Sequence, residues 1–189
     1  VEKFINLQVV KYQKKMITNI DFNQDDFEKY YARLHETTVA NEVRELEKMK
    51  FKDETRKTVA VKSLKDKLNE HFAVLRSSKI KEYDQHLKFV SLLADSQFDA
   101  YKVDFNVNIE YENHTNFESY INEKHLIAKG ASIDKFENSK QLTFAPRKAQ
   151  FKEELSKKID IEYLTWKEAT MKIYEKFQDN KQKTEIEKS

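Results

Sequence analysis

An all-α fold is what this sequence predicts, and three observations predict it. The 189 residues hold one glycine, Gly130, and one proline, Pro146. Those residue types supply tight turns and interrupt helices, so a chain nearly without them is built of long regular segments. Apolar residues also recur at steps of three and four, which puts them on one side of a helix. The third observation is a near repeat. Tyr12, Met16, Ile20, Asp21 and Phe22 return 89 positions later as Tyr101, Phe105, Ile109, Glu110 and Tyr111. Phe27, Tyr30, His35, Val43 and Leu46 return 90 later as Phe117, Tyr120, His125, Ile133 and Phe136. Leu64, Leu68, Phe72 and Leu75 return 91 later as Leu155, Ile159, Tyr163 and Trp166. The offset grows by one at two places, where loops take insertions. One supersecondary unit used twice accounts for this pattern.

The elements follow in order. Val1 to about Ile17 reads as a helix with Phe4, Leu7, Val10 or Lys11, and Ile17 near one face. Asn19 to Gln24 interrupts it, because Asn and Asp compete with the helix for backbone hydrogen bonds. Asp25 or Asp26 caps a second helix that runs to about Lys50, with Phe27, Tyr30, Tyr31, Leu34, Val43 and Leu46 on its apolar side. Asp53 caps the third, whose stripe is Val61, Leu64, Leu68, Phe72 and Leu75. Nothing stops that helix at Ser77-Ser78, and Ile80, Tyr83, Leu87 and Val90 continue the pattern. The third helix of the first unit therefore runs into, or sits beside, the first helix of the second.

Val103, Phe105, Val107, Ile109 and Tyr111 alternate with polar residues, which alone signals a strand. Lys14 to Phe22, the matching stretch, has no such alternation, so an irregular helix end and an extended connector are expected instead. Asn113 to Asn116 caps the next helix, Phe117 to about Asn138, with Gly130 inside it or kinking it. Phe144 to Arg147 is a loop. The last helix carries Phe151, Leu155, Ile159, Tyr163, Trp166, Ala169, Ile173 and Phe177. The expected architecture is an elongated helical bundle, two three-helix bundles in tandem. Residues 1–79 form the first unit, 80–178 the second, and 179–189 a polar tail.

Composition narrows the function. Hydrophobic residues are 39% and charged residues 36%, with 13 Phe and 9 Tyr, so each helix buries one stripe and solvates the rest. Aromatics this frequent fill a core, and disorder fits poorly. The net charge of +2 points to no nucleic acid. The chain has no cysteine, which is compatible with a reducing compartment. No apolar run is long enough to span a bilayer, and Val1-Glu2-Lys3-Phe4 lacks both an apolar signal region and an initiator Met. The chain reads as a piece of something longer, or a processed form, on the inside of a cell: cytoplasmic, or on the cytoplasmic face of a membrane.

The residues that could carry chemistry read mainly as structure. A phosphate-binding loop needs several glycines to let backbone N–H groups approach, and one glycine excludes it. His35 and His125 hold equivalent positions. Without a second His, Cys or carboxylate at i+4, each reads as a half-buried imidazole bonded to a neighbouring segment rather than a metal ligand. Adjacent carboxylates, Asp25-Asp26 and Glu153-Glu154, point about 100° apart on a helix and form no acid–base pair. Lys14-Lys15 and Lys157-Lys158 read as solvated basic faces, with contact to anionic lipid as the other reading. Trp166, beside Tyr163 on the last stripe, reads as core or as a partner anchor. The candidate structural or interaction residues are thus Tyr12, His35, Tyr101, His125 and Trp166. No catalytic residue, metal or cofactor is expected.

Taken in order, the first unit has Lys11-Tyr12-Gln13-Lys14-Lys15-Met16 closing a helix, Leu34-His35 in the next, Phe51-Lys52-Asp53 before the third, and Leu64, Leu68 and Phe72 within it. Over roughly Val9 to Ser78 this resembles the helical middle region of the atlastin and guanylate-binding-protein branch of dynamin-like large GTPases. The second unit departs from the pattern. It has Phe105 for Met16, and Leu126 follows His125 instead of preceding it. A tandem copy is not that family's usual layout, and neither its GTPase domain nor its membrane-inserting segments are present here. The resemblance implies a non-catalytic stalk. Such a stalk pairs with a protein partner or a second copy, touches membranes only indirectly, and serves tethering or remodelling. The alternative is a stand-alone scaffold of spectrin-like or BAR-like type that binds protein or membrane surfaces.

Overall fold

A computed structural model describes residues 1–107 and 109–188. Its elements are α1 (Glu2–Thr18), α2 (Phe27–Glu47), α3 (Glu54–Val107), α4 (Phe117–Glu137) and α5 (Lys148–Glu187). The fold is all-α, and no strand occurs among the described residues. The alternating stretch is helical through Val107 and without regular structure over Ile109–Tyr111; Asn108 lies outside the described residues. Helical propensity and the packing of Tyr101 and Phe105 thus override the period-2 signal.

Three capping predictions concern specific side chains. Asp26, not Asp25, caps α2 by accepting from the Lys29 N–H at 3.2 Å. Asp53 accepts from the Arg56 N–H at 2.8 Å at the start of α3, and Asn116 accepts from the Ser119 N–H at 3.0 Å at the start of α4. Each satisfies an N–H that the first turn leaves without an intrahelical partner. Gly130 lies inside α4. Ser77-Ser78 does not break α3, a single helix of 54 residues. The charged segment after Asp179 is also helical, continuing α5 to Glu187 with every side chain exposed.

The chain forms two compact units. One is Val1–Lys88 with Phe144–Arg147, and the other is Phe89–Thr143 with Lys148–Ser189. In the first, α1, α2 and the N-terminal part of α3 close on Ile5, Tyr12, Met16, Phe27, Tyr31, Leu46, Leu64 and Leu68. Phe27 stacks between Tyr31 and Tyr83, with ring centroids 5.5 and 4.7 Å away. The loop Phe144–Arg147 belongs here. The Ala145 N–H donates to Asn23 Oδ1, and the Arg147 N–H donates to Asp25 Oδ1. In the second unit Tyr101, Phe105, Phe117, Ile121, Phe136, Leu155, Ile159 and Tyr163 are buried.

The face expected for α1 is wrong. Leu7, Val10 and Ile17 are exposed, and α1 instead buries Ile5, Gln8, Val9, Tyr12 and Met16. Two apolar sets lie on opposite sides of this helix. The one with the large aromatic and the methionine is buried, because it fills more of the core.

Candidate functional site

The repeat becomes physical at two matched nodes, each joining three helical segments. In the first unit Tyr12 of α1 is fully buried, and its hydroxyl lies 2.7 Å from His35 Nδ1 on α2. The other ring nitrogen, Nε2, lies 3.1 Å from Asn69 Oδ1 on α3. The imidazole also stacks on Phe72 of α3, with centroids 3.9 Å apart and planes 10° from parallel. In the second unit the Tyr101 hydroxyl lies 2.8 Å from His125 Nδ1, and Nε2 lies 3.3 Å from Asp160 Oδ1. His125 stacks on Tyr163 at 3.9 Å and 8°. Both tyrosine rings meet their histidine edge-on, at 5.8 Å in each case.

These acceptors set the tautomer. Asp160 as a carboxylate and Asn69 through Oδ1 can only accept, so Nε2 carries the proton in both histidines. Nδ1 is then a lone pair, and each tyrosine hydroxyl donates to it. Burial raises the Tyr12 and Tyr101 hydroxyls well above the usual tyrosine range; Tyr31 adds to the effect on Tyr12, and Tyr163 to that on Tyr101. Both hydroxyls therefore stay protonated donors. Burial lowers the pKa of both histidines, opposed in His35 by the Asn69 bond and in His125 by the Asp160 charge. The neutral imidazole is the form that the fold holds.

A Tyr–His–Asp chain invites comparison with a proton relay. A relay needs an end that a substrate can reach and a nucleophile whose pKa is depressed. The Tyr101 end is 1% exposed and its hydroxyl is shifted the other way, and the exposed end, the Asp160 carboxylate, is tied through both oxygens to Lys129. What the geometry does well is brace three helices through one ring, using both its nitrogens and one face.

The twin units share further detail. The Tyr30 hydroxyl accepts from the Asp21 N–H at 3.0 Å, and the Tyr120 hydroxyl accepts from the Glu110 N–H at the same distance. They also differ. Lys129 on α4 binds both oxygens of Asp160 at 2.7 Å, so the second node carries charge where the first has a neutral amide. Trp166 is half-buried and meets Phe105 edge-on at 4.1 Å.

Asn69 and Asp160 are not marked by helical spacing around either histidine, because each partner sits on a different helix. The signal was there: 69 and 160 differ by the same 91 positions as Leu68 and Ile159. The remaining histidines serve locally. His71 bonds Gln13, His86 packs on Phe22 and Phe144, and His114 stacks on Tyr120.

Paired charges prove to be individual contacts. Asp25 receives the Arg147 N–H and Asp26 caps α2. Glu153 pairs with Lys157, and Glu154 accepts from Gln150. Lys158 pairs with Asp95, and Lys15 pairs at 2.5 Å with Glu42, whose side chain is 1% exposed. Among the described residues no group of three or more His, Asp or Glu could hold a metal ion, and no helix is long and apolar enough to cross a membrane. Comparison with protein-family models, curated proteins and solved structures finds no significant match.

Proposed function

We propose that this chain is a non-catalytic helical stalk that holds distance, transmits movement and presents a surface to another protein chain or a second copy of itself. One observation carries the reading. Each unit is cross-braced by a buried tyrosine hydroxyl on a histidine that in turn bonds a third helix nearer the surface, Tyr12–His35–Asn69 in one and Tyr101–His125–Asp160 in the other. Such a linked set stiffens its surroundings, because moving one helix breaks its bonds to the other two. That is a useful property in a part that must carry load.

The same two residues of the first node, Tyr12 and His35, help carry the resemblance to the middle region of atlastin-like and guanylate-binding-like GTPases. In that setting the stalk would swing from a GTPase domain at the cytoplasmic face of a membrane and take part in tethering or remodelling. Sequencing the complete transcript that encodes this segment tests the assignment. A glycine-rich phosphate loop in a domain upstream supports it. An uninterrupted helical or unrelated reading frame overturns the GTPase assignment and leaves a stand-alone scaffold.

A further inference from the structure

We propose that the outward face of α1 is a docking surface for an anionic lipid bilayer. The inference goes beyond the mechanical role above and does not depend on a GTPase domain.

The orientation of α1 is fixed on both flanks. Lys15 reaches Glu42 of α2 on one side. On the other, Asn6 accepts from Lys67 and Gln13 bonds His71, both on α3. Lys3, Leu7, Val10, Lys11, Lys14 and Ile17 fall between these flanks. At about 100° per residue they share roughly one third of the helix circumference, opposite the buried Ile5, Val9, Tyr12 and Met16. The aliphatic members are well exposed, Leu7 at 48%, Val10 at 60% and Ile17 at 49%. Lys3, Lys11 and Lys14 are exposed and make no ion pair among the described residues. No acidic residue of α1 lies on this face; on α2, Glu45 feels the charge of Lys11 but is itself paired with Lys48.

The repeat supplies an internal control. Positions 3, 7, 10, 11, 14 and 17 correspond to Leu92, Ser96, Asp99, Ala100, Val103 and Asn106. The second unit closes the same kind of core with no lysine on this face and an aspartate in it. The matched face keeps exposed aliphatics at Leu92 and Val103 but has none of the three lysines. The basic character is therefore not required for folding, and it belongs to the first unit alone.

Charge and shape choose the occupant. A face that is all cation and aliphatic is complementary to an apolar layer beneath anionic headgroups, where lysine stems lie along the apolar surface and ammonium groups reach the phosphates. An acidic protein partner would satisfy the lysines, but a protein interface is anchored by aromatics or arginine seated in pockets. This face has no aromatic and no arginine, and it is the convex side of one helix.

The test is co-flotation of the 189-residue chain with vesicles of phosphatidylcholine mixed with phosphatidylserine, and with phosphatidylcholine alone. Binding to the mixed vesicles only, weakened by salt, is expected. Two variants follow, one Lys3→Glu with Lys11→Glu and Lys14→Glu, the other Leu7→Ser with Val10→Asp and Ile17→Asn. The second set places in the first unit what the second already carries. Each should lose about tenfold or more in vesicle affinity while keeping its helical circular dichroism, since every site is exposed. Equal binding by the native chain to both vesicle types overturns the proposal, and so does native-like binding by both variants. A native chain that ignores vesicles but retains a poly-glutamate peptide, with the lysine variant losing it, assigns the face to an acidic protein and overturns the lipid reading.

Discussion

The Tyr12 hydroxyl and His35 Nδ1, 2.7 Å apart, form a hydrogen bond whose donor is fully buried and whose acceptor has no other use. Changing Tyr12 to Phe removes the donor and leaves the imidazole lone pair unpaired inside the unit. Burying an unsatisfied acceptor costs about 1–3 kcal/mol, more than the net worth of an ordinary hydrogen bond. Tyr101→Phe should behave alike, through His125. Urea titration of each variant measures the loss. A change under about 0.5 kcal/mol in both would show that the hydroxyls contribute only their rings' packing.

The same nodes should make the fold sensitive to mild acid. Both histidines have folded-state pKa values below the ordinary one, chiefly through burial. In the window between the lowered folded pKa and the unfolded value near 6.5, the unfolded chain binds more protons. Stability is therefore full above the unfolded value, falls as pH drops through the window, and levels below it. Melting temperature followed from pH 8 to 5 should show this decline. Replacing both His35 and His125 by Gln should flatten it. A slope that survives the double replacement assigns the effect to carboxylates.

Leu68 is fully buried among the residues that close the first unit. Truncation to Ala leaves a cavity that the surrounding helices fill only in part, and it should cost about 2–5 kcal/mol. A denaturant titration giving less than about 1 kcal/mol would place this face of α3 in solvent.

Gln8 and Gln97 stand 89 positions apart, the offset that relates Tyr12 to Tyr101. Gln8 is fully buried, and neither of its amide atoms has a partner among the described residues; Gln97 Oε1 is in the same condition. An apolar side chain of similar volume removes that penalty. Gln8→Leu should stabilise the chain by about 1–3 kcal/mol. Loss of stability instead would mean that the amide is bonded in solution.

Much of the architecture was legible because it rests on local signals. The cap at Asp53, the capping stretches Asp25-Asp26 and Asn113–Asn116, and the stripes through Leu64, Leu68, Leu155 and Ile159 follow from side-chain chemistry and period alone; which residue of each stretch caps does not. The face of α1 is a different case. Leu7, Val10 and Ile17 are the more apolar set, but Ile5, Val9, Tyr12 and Met16 form the longer unbroken stripe, at steps of four, three and four, and that stripe is the buried one. The nodes were half legible. Repetition marked Tyr12 with Tyr101 and His35 with His125 as equivalent. That each tyrosine meets its histidine, and that Asn69 and Asp160 complete the set, depends on contacts between helices that no single-helix period encodes.

The last prediction is that the chain binds neither GTP nor GDP. Phosphate recognition needs backbone N–H groups aimed at one point, or a cluster of Arg and Lys around a concave site. Here one first-turn N–H in each of α2, α3 and α4 is taken by a side chain, that of Asp26, Asp53 or Asn116. The single glycine lies within α4, where its N–H belongs to the helix. Lys15, Lys129 and Lys158 are held by Glu42, Asp160 and Asp95. The lysines of the α1 face lie on a convex surface, which suits an extended array of charge rather than one nucleotide. Isothermal titration of the purified chain with each nucleotide in the presence of magnesium measures this. Saturable binding tighter than about 100 μM, roughly 5.5 kcal/mol, would overturn the non-catalytic reading. Heat that vanishes at moderate salt, without saturation, would instead report diffuse attraction to the basic face.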